Sequence, residues 1–410
     1  MRLLHTSDWH LGATLCGRKR YDEGEAFLSW LTGVITRERV ETLIIAGDVF
    51  DSGTPSNRAL EQYYRFLGLA ARSGCRHIVI TAGNHDSPTL LAAPKELLSA
   101  LDIHVIGSIS EDPGDEVFIL YDTPGVPALI ICAVPFLRDR DIRIAEAGES
   151  FDEKRLRLLT GISDHYQKVC RVAESHRHQI GRDIPIVATG HLFAAGGSIL
   201  KDDGVRELSI GNLIQVGSET FPSCIDYLAL GHLHQPQLVG GVLSRRYSGA
   251  PLAMGFGESG KKKEVIIADI SPDRQVRVDP LPVPSIRTYM QITGDLDTVL
   301  ARLGDLKFSG RDVWVEVQLD DHRVVPGARE EIYASVEKSP VDVLKIKNTA
   351  LPSSMVCPAC DQESLEDLTL MEVFRRCLSD GQEPEENWED LITAYQEILT
   401  TLQEDDGNAS

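Results

Sequence analysis

Ten residues that can bind a metal ion or carry a proton stand in five short clusters within the first 234 positions. The clusters are Asp8 with His10, Asp48 with Asp51, Asn84 with His85 and Asp86, His191 alone, and His232 with His234. They offer carboxylate oxygen, amide oxygen and imidazole nitrogen, without a thiolate. This donor set favours manganese, iron or zinc in a mixed oxygen and nitrogen shell, whereas thiolates would indicate structural zinc.

The number of these side chains indicates more than one ion. Seven of these ten side chains are candidate ligands. Seven ligands are too many for one metal ion, but they suit two ions that share a carboxylate. Two ions about 3.5–4 Å apart hold the attacking and leaving oxygens of a phosphoryl group, lower the pKa of a bridging water and offset the charge of the transition state. Phosphoester hydrolysis is the reaction that needs such a pair.

An alternation of strands and helices places the clusters. Apolar runs predict strands at 2–8, 42–48, 77–83 and 102–107, separated by helical patterns at 21–40, 56–73 and 89–100. This order is typical of a layered α/β fold with parallel strands. Further strands are predicted at 116–121, 128–134, 184–190, 227–232, 236–243 and 264–270, and a long charged helix at 151–178. Each cluster follows a strand, so all five are expected to meet at the carboxyl edge of the sheet.

The remaining segments divide the chain into further parts. Residues 1–280 form the predicted site-bearing domain, in which Gly240 and Gly241 indicate that the later strands are partly antiparallel. Three prolines at 280–285 predict a linker, and 286–350 predicts a small α+β domain of order β-α-β-α-β. A second linker at 351–363 leads to two amphipathic helices, predicted as a helical hairpin at 364–403. A hairpin of that size needs a partner to cover its apolar faces.

The composition predicts a soluble cytoplasmic protein. The chain has 410 residues, 42% of them hydrophobic, and we find neither an apolar run of about 18 residues nor a signal-peptide pattern. Eight irregularly spaced cysteines predict reduced thiols. Cys357 and Cys360 have the spacing of a zinc or redox pair, but a second pair is lacking, so a turn in the linker is the favoured interpretation.

The net charge of −21, taken as a whole, argues against a nucleic-acid partner. The distribution of this charge along the chain weakens that argument. Residues 361–410 hold fifteen Asp and Glu against two Arg, so most of the excess lies at the C-terminal end. A polyanionic substrate bound through metal ions and local basic patches therefore remains compatible with the composition. Basic clusters at 17–20, and at 260–263 with Arg245 and Arg246, are candidates for such patches; the one at 17–20 leaves the predicted metal rim and is the better candidate for a phosphate contact.

Taken in order and spacing, the motifs D-x-H, G-D-x-x-D, G-N-H-D, G-H and G-H-x-H resemble those of the calcineurin-like metallophosphoesterases. The strings HTSDWHLG, AGDVFDSGTPS and AGNHDS more closely resemble the SbcD family of bacterial nuclease subunits. The resemblance implies a layered metallophosphoesterase β-sandwich flanked by helices, with 286–350 as a capping domain and 364–403 as the hairpin that docks an ATPase partner.

The resemblance also implies a role for each site residue. Asp8, His10 and His234 would hold one metal ion, and Asn84, His191 and His232 the other, with Asp48 bridging them. His85 would not bind metal; it would stabilise the transition state or protonate the leaving oxygen. Asp86 is expected to brace the loop, and we assign no role to Asp51. Six other histidines have plainer interpretations: His5, His77 and His104 are expected to pack within strands, and His165, His176 and His178 to be solvated on a charged helix.

The function implied by the resemblance is metal-dependent DNA cleavage, as an exonuclease at double-strand ends and an endonuclease at single strands or hairpins. Two divalent ions, manganese first, would be the cofactors. A coiled-coil ATPase would be the partner, with a homodimer at the centre of a heterotetramer whose dimer face would come from 56–73 and 89–100 unless these are ordinary core. Two alternatives share the same ligands: a phosphoesterase for small phosphodiesters or phosphoproteins, and a non-catalytic scaffold that binds DNA ends.

Overall fold

The structure of the chain is a computed structural model that describes residues 1–123, 125–143, 149–194, 216–310, 312–320 and 327–348. It also describes the separate positions 374, 377, 378, 388, 391, 392 and 395. Within these ranges, the strand-and-helix alternation predicted for the first third is confirmed.

The helices and strands have the following bounds. The first are β1 (Arg2–Thr6), β2 (Thr14–Leu15), β3 (Arg18–Lys19), α1 (Tyr21–Glu38), β4 (Thr42–Ala46), α2 (Asn57–Arg72), β5 (His77–Thr81), α3 (Pro88–Ala92), α4 (Lys95–Ser99) and β6 (Ile103–Ile106). Next come β7 (Val117–Thr123), β8 (Val126–Cys132), α5 (Asp139–Ile142), α6 (Phe151–Ile180), β9 (Ile186–His191), β10 (Tyr227–Gly231), β11 (Gln237–Val239), β12 (Val242–Tyr247), β13 (Glu264–Ile270) and β14 (Val276–Pro282). The last are β15 (Thr288–Gly294), α7 (Leu296–Ser309), β16 (Val313–Leu319), α8 (Ala328–Val336) and β17 (Val341–Asn348).

Two six-stranded sheets pack face to face. Their strand orders are β14-β13-β1-β4-β5-β6 and β11-β12-β10-β9-β8-β7. The side chains between them are almost wholly apolar, among them Ile44, Val79, Ile131 and Val187. The outer face of the first sheet is covered by α1 and α2, and that of the second by α6. Burial on both faces explains why the central strands are nearly continuous apolar runs instead of alternating ones.

Three local predictions are corrected. The helix predicted at 89–100 is two short helices, α3 and α4, separated around Pro94, which cannot donate a backbone hydrogen bond. The strand predicted at 236–243 is the antiparallel hairpin β11–β12, which turns at Gly240 and Gly241 with φ of +59° and +73°. The prolines at 280 and 282, predicted as linker, end β14; they are tolerated because β14 is an edge strand.

Residues 288–348 form a third, smaller sheet with its own core. β15, β16 and β17 are parallel, α7 and α8 connect them, and Ile292, Val315 and Ile332 lie in the core that they share. This is the β-α-β-α-β order predicted for 286–350. An aromatic cluster of Phe256, Tyr289 and Trp314 joins this unit to the larger part of the molecule.

The C-terminal predictions fall largely beyond the described ranges. The linker at 351–363, Cys357 and Cys360 lie outside the described residues, and of the hairpin at 364–403 only the seven separate positions are described. All seven are helical, and the ring of Phe374 stacks on that of Tyr395 with centroids 3.9 Å apart. Among the helices described, none has the length and apolar character needed to cross a membrane.

Candidate metal centre

The carboxyl ends of five strands meet at one rim of the paired sheets. β1, β4 and β5 are parallel neighbours in the first sheet, and β9 and β10 are parallel neighbours in the second. The two sheets are held together here by His5, whose ring nitrogens lie 3.0 Å from the Tyr227 hydroxyl and 3.2 Å from the Leu230 carbonyl oxygen. All seven predicted ligands are brought together at this rim, and all except Asn84 are buried.

One group of donor atoms forms around Asp8. The Nε2 atoms of His10 and His234 are 3.2 Å apart, and the donor atoms of these two histidines and Asp8 lie within 4.8 Å of one another. The Asp8 carboxylate accepts hydrogen bonds from the backbone N–H of His232, at 2.9 Å, and from the Ser7 hydroxyl. These contacts fix the carboxylate beside the two imidazoles.

A second group forms around the side-chain oxygen of Asn84. That oxygen lies 3.0 Å from His191 Nε2 and 3.1 Å from His232 Nδ1. The other nitrogen of His191, Nδ1, lies 3.0 Å from the Ala46 carbonyl and donates to it, which turns Nε2 towards Asn84. A ring nitrogen held by a backbone carbonyl is the usual support of a metal-binding histidine.

Asp48 stands between the two groups. Its Oδ2 lies 3.2 Å from His191 Nε2 and 3.7 Å from His10 Nε2, while Oδ1 accepts the backbone N–H of His85 at 2.8 Å. Ligands bonded at about 2.0–2.2 Å around a single ion lie about 3 Å from each other. The spacing of these donors therefore fits divalent ions, and one Asp48 carboxylate oxygen borders both groups.

The backbone of this rim is held in an uncommon conformation. Asp8, His10, Asp48 and His232 have φ of 54°, 45°, 50° and 99°. Positive φ is rare for residues other than glycine, and such strain persists only where the surrounding structure enforces it. Four of the seven predicted ligands share it, which marks the rim as a site built for function at some cost in stability.

Close approach explains the glycines of the motifs. A Cβ on Gly83 would lie 2.1 Å from Asp48 Oδ1, and one on Gly47 would lie 2.1 Å from His191 Nδ1. A glycine in a GNHD loop is commonly explained by a backbone turn that needs positive φ. The φ of Gly83 is not positive, so the absence of a side chain is what matters: glycine lets the Asp48 carboxylate lie against the chain.

His85 lies beside the donor groups. Its ring centroid is 4.7 Å from that of His10, and its Nδ1 is 2.9 Å from the carbonyl oxygen of Asp51. Asp86 is buried, and its carboxylate accepts three backbone N–H groups, those of Val49, Phe50 and Gly83, at 2.9–3.1 Å. Asp86 thus ties the loop after β4 to the loop after β5, as predicted from its position. The Asp51 side chain, which had no predicted role, lies 3.4 Å from His10 Nδ1.

The electrostatics of the rim favour added positive charge. Burial raises the pKa of Asp8 to about 6; the Asp48 carboxylate adds to this rise, and His191 partly offsets it. Burial acts to lower the pKa of His191, but the Asp48 carboxylate outweighs it and raises the value to about 9. Burial acts to raise the pKa of Asp48, and the neighbouring histidines His191 and His85 hold it well below its usual range. Without metal, the carboxylates therefore hold protons on the neighbouring histidines. Divalent ions that bind these imidazoles would displace those protons.

Two interpretations of charged residues are corrected. His165, predicted to be solvated, is buried, and its Nε2 lies 2.9 Å from a Glu116 carboxylate oxygen beneath α6. The basic clusters are also smaller than their sequences suggest. Arg20 pairs with Glu23, Arg246 with Glu264, and Lys263 with Glu258, all with the basic side chain buried. Arg18, Lys19, Lys261 and Lys262 are the exposed basic residues of the two clusters.

The sequence did not reveal the residues that hold the ligand residues in place through hydrogen bonds. Ser7 hydrogen-bonds Asp8 and lies 2.9 Å from the Ser248 hydroxyl, and Lys263 donates to the carbonyl of His234. The position of Ser7 next to Asp8 was a usable signal. Ser248 and Lys263 stand outside the five ligand clusters, and Lys263 was predicted only as part of a basic patch, so the fold alone reveals their part.

Comparison with known proteins supplies the family. Residues 1–236 match the calcineurin-like phosphoesterase family, and residues 286–381 match the family described as type 5 capsule protein repressor C-terminal domain. The chain is 35% identical to the SbcD component of the SbcCD nuclease of Escherichia coli K12, over 98% of each chain. It is 38% identical to the protein of that name from Rhodobacter capsulatus, over 76% of this chain and 77% of the relative. For the Bacillus subtilis protein the identity is 36%, over 67% and 68%.

Proposed function

This chain belongs to the SbcD nuclease-subunit family of calcineurin-like phosphoesterases, and we propose that it cleaves DNA at double-strand ends and hairpins together with a coiled-coil ATPase of the SbcC type. It is a metal-dependent phosphodiesterase by family. The observation that carries the proposal is the position of Asp48, one carboxylate oxygen of which borders two separate groups of metal-binding atoms.

In this proposal, Asp8, His10 and His234 hold one ion, and Asn84, His191 and His232 hold the other, with Asp48 between them. Manganese is the proposed metal because oxygen and imidazole donors suit it. When bound, the two ions would supply Lewis acidity at the phosphate and a water of lowered pKa. The chain itself contributes the buried frame that sets the donor positions before substrate arrives.

His85 is the proposed catalytic residue. Donation from Nδ1 to the Asp51 carbonyl, 2.9 Å away, orients the ring. Its backbone N–H donates to Asp48, so the base of the loop is tied to the centre of the donor groups. A histidine held in this way can stabilise charge on the phosphate or give a proton to the leaving oxygen.

The partners extend the proposal beyond the site. DNA is the proposed substrate, in repair, recombination and replication, and the SbcC-type ATPase would dock on the hairpin at 364–403. A homodimer within a heterotetramer is supported by exposed apolar side chains near α2 and α4, namely Tyr64, Leu69, Leu97 and Leu101. A cytoplasmic location is supported by the described cysteines, among which no disulfide forms.

The test uses the full chain on labelled hairpin and blunt-ended duplex DNA, with manganese and after chelation. We expect manganese-dependent cleavage of both, and a loss of about 10²–10⁴ in kcat for His85→Gln with metal content unchanged. His178→Gln, on an exposed surface of α6, is the matched control and should keep full activity. Much faster cleavage of a small phosphodiester than of DNA would favour the phosphoesterase alternative. Binding of DNA ends without any cleavage would favour the scaffold.

A further inference from the structure

One ligand loop is held by a buried ion pair that lies outside the five ligand clusters. Lys263, at the start of β13 in the first sheet, is 8% exposed, and its Nζ donates to the backbone carbonyl of His234 at 3.1 Å. The same ammonium donates to Glu258 at 2.8 Å, and Glu258 is 1% exposed. His234 belongs to the loop after β10 in the second sheet, so the ammonium links the two sheets at the metal rim.

Glu258 also holds Gln235, the residue that follows His234. Its Oε1 accepts the side-chain amide of Gln235 at 3.1 Å, and its Oε2 accepts the backbone N–H of Met254 at 2.6 Å. The His234 carbonyl also accepts the backbone N–H of Ala250 at 3.1 Å. His234 and the residue after it are therefore fixed from behind by three hydrogen bonds, two of which come from one ion pair.

A gain in folding stability does not explain why this ion pair is buried. Removing two charges from water costs several kcal/mol per ion, and apolar replacements of similar volume are often neutral or stabilising. The backbone contact to His234 supplies a different reason, because residues that orient a ligand from behind commonly change metal affinity by about 10–100-fold when they are lost.

We propose that Lys263 and Glu258 are positioning residues for His234, and that they set the affinity of the ion which His234 binds. This inference rests on the proposed role of His234 as a ligand. Neither residue touches the substrate. Their effect passes through the peptide of His234 and the side chain of Gln235.

The pair also lies on a path to the smaller unit. Met254, whose N–H is held by Glu258, has its sulfur 3.9 Å from Arg20 Nη1, and Arg20 donates to the Tyr289 hydroxyl at 2.9 Å. Ser259, next to Glu258, donates to the carbonyl of Tyr289. The segment 254–259 is therefore packed between β15 and the loop that carries His234.

The test is manganese binding by the full chain, measured by calorimetry and by electron paramagnetic resonance, which distinguishes a coupled pair of ions from a single ion. The double variant Lys263→Met with Glu258→Gln removes both charges together and so avoids leaving one buried ion unpaired. We expect one manganese ion to bind about 10–100-fold more weakly, with partial replacement of the coupled signal by a single-ion signal. Lys262→Met, an exposed neighbour with the same change, should bind both ions normally.

Two further variants keep the result decisive. Gln235→Ala removes one hydrogen bond without stripping a buried charge, and it should weaken the same ion by a smaller factor even if the double variant folds poorly. His234→Gln tests the premise, and it should lose that ion. Normal binding in the double variant or in Gln235→Ala, beside a loss in His234→Gln, would overturn the positioning role alone. Normal binding in His234→Gln would overturn the proposed metal centre itself.

Discussion

Two buried polar clusters in this molecule differ in how their charges are balanced. At the junction with the smaller unit, Arg20 forms two hydrogen bonds to Glu23 and one to Tyr289, and Arg287 lies 3.5 Å from Glu23 and 2.8 Å from Asp312. Two guanidinium groups thus meet two carboxylates. At the metal rim, the titratable side chains grouped with Asp8 and Asp48 are imidazoles, which are neutral unless protonated. The junction is balanced by permanently charged groups, whereas the carboxylates of the rim are balanced either by protons on neighbouring histidines or by bound metal ions.

Backbone conformation shows the same contrast. The residues of the junction have ordinary φ angles, whereas four residues of the rim have positive φ. A self-balanced cluster can be reached by an unstrained chain, because each charge draws its partner into place. The rim holds the carboxylates of Asp8 and Asp48 close together, so glycines and hydrogen bonds from outside the donor set help to enforce its shape. This difference separates a structural polar cluster from a catalytic one.

The largest effect is expected from removing the shared carboxylate. Asp48→Asn should lower manganese-dependent cleavage by at least about 10³-fold, because both ions lose a charged ligand. We also expect manganese to raise the thermal unfolding temperature of the wild-type chain, and this rise should disappear in Asp48→Asn. Asp297→Asn, on the exposed side of α7, is the control and should keep both properties. Retention of a coupled manganese pair in Asp48→Asn would show that this carboxylate is not shared.

The junction should respond in the opposite way. Glu23→Gln leaves the buried Arg20 guanidinium and the partly buried Arg287 guanidinium short of one negative charge, and we expect it to lower the free energy of unfolding by about 3 kcal/mol. Manganese affinity should change little. Urea unfolding of the metal-free chain measures the first quantity and calorimetry the second. Glu61→Gln removes an exposed partner of Arg65 and should cost less than about 1 kcal/mol. If Glu23→Gln lost metal as severely as Asp48→Asn, the two clusters would not be separate.

The pH dependence of manganese binding offers a third way to tell the two clusters apart. The pKa of His191 is raised to about 9 without metal, so the ring carries a proton at neutral pH that manganese must displace. Affinity should therefore rise by at least about tenfold per pH unit between pH 6 and 9, because the pKa of His10 is raised as well, and level off above. Below pH 6 it should fall more steeply, because Asp8 also becomes protonated. Calorimetry in two buffers of different ionisation enthalpy counts the released protons. Binding without proton release at pH 7.5 would contradict the assignment.

The same pair of clusters shows what sequence reasoning can reach. The rim was predictable because each ligand stands within four residues of the end of an apolar strand, and parallel strands bring such ends together. The junction was not, because Arg20 looked like part of an exposed basic run and its partner Tyr289 lies 269 positions away. His165 was misassigned for the same reason: its helix is strongly charged, and only the packing against Glu116 shows which face is buried. Local pattern identifies a site, whereas long-range pairing decides which charges are exposed.

The smallest expected effect is the sharpest test of how the rim is enforced. The Ser7 hydroxyl donates to Asp8 and lies 2.9 Å from the Ser248 hydroxyl. Ser7→Ala therefore removes one neutral donor and leaves every ligand residue unchanged. This hydrogen bond acts to lower the pKa of Asp8, against the rise that burial imposes. Its loss should raise that pKa further, and the steep acid limb of manganese binding should move to higher pH. At pH 6 we expect affinity to fall by a few-fold, in keeping with a net hydrogen bond of about 1 kcal/mol, and at pH 9 it should approach the wild-type value. An equal loss at both pH values would mean that Ser7 acts only by packing.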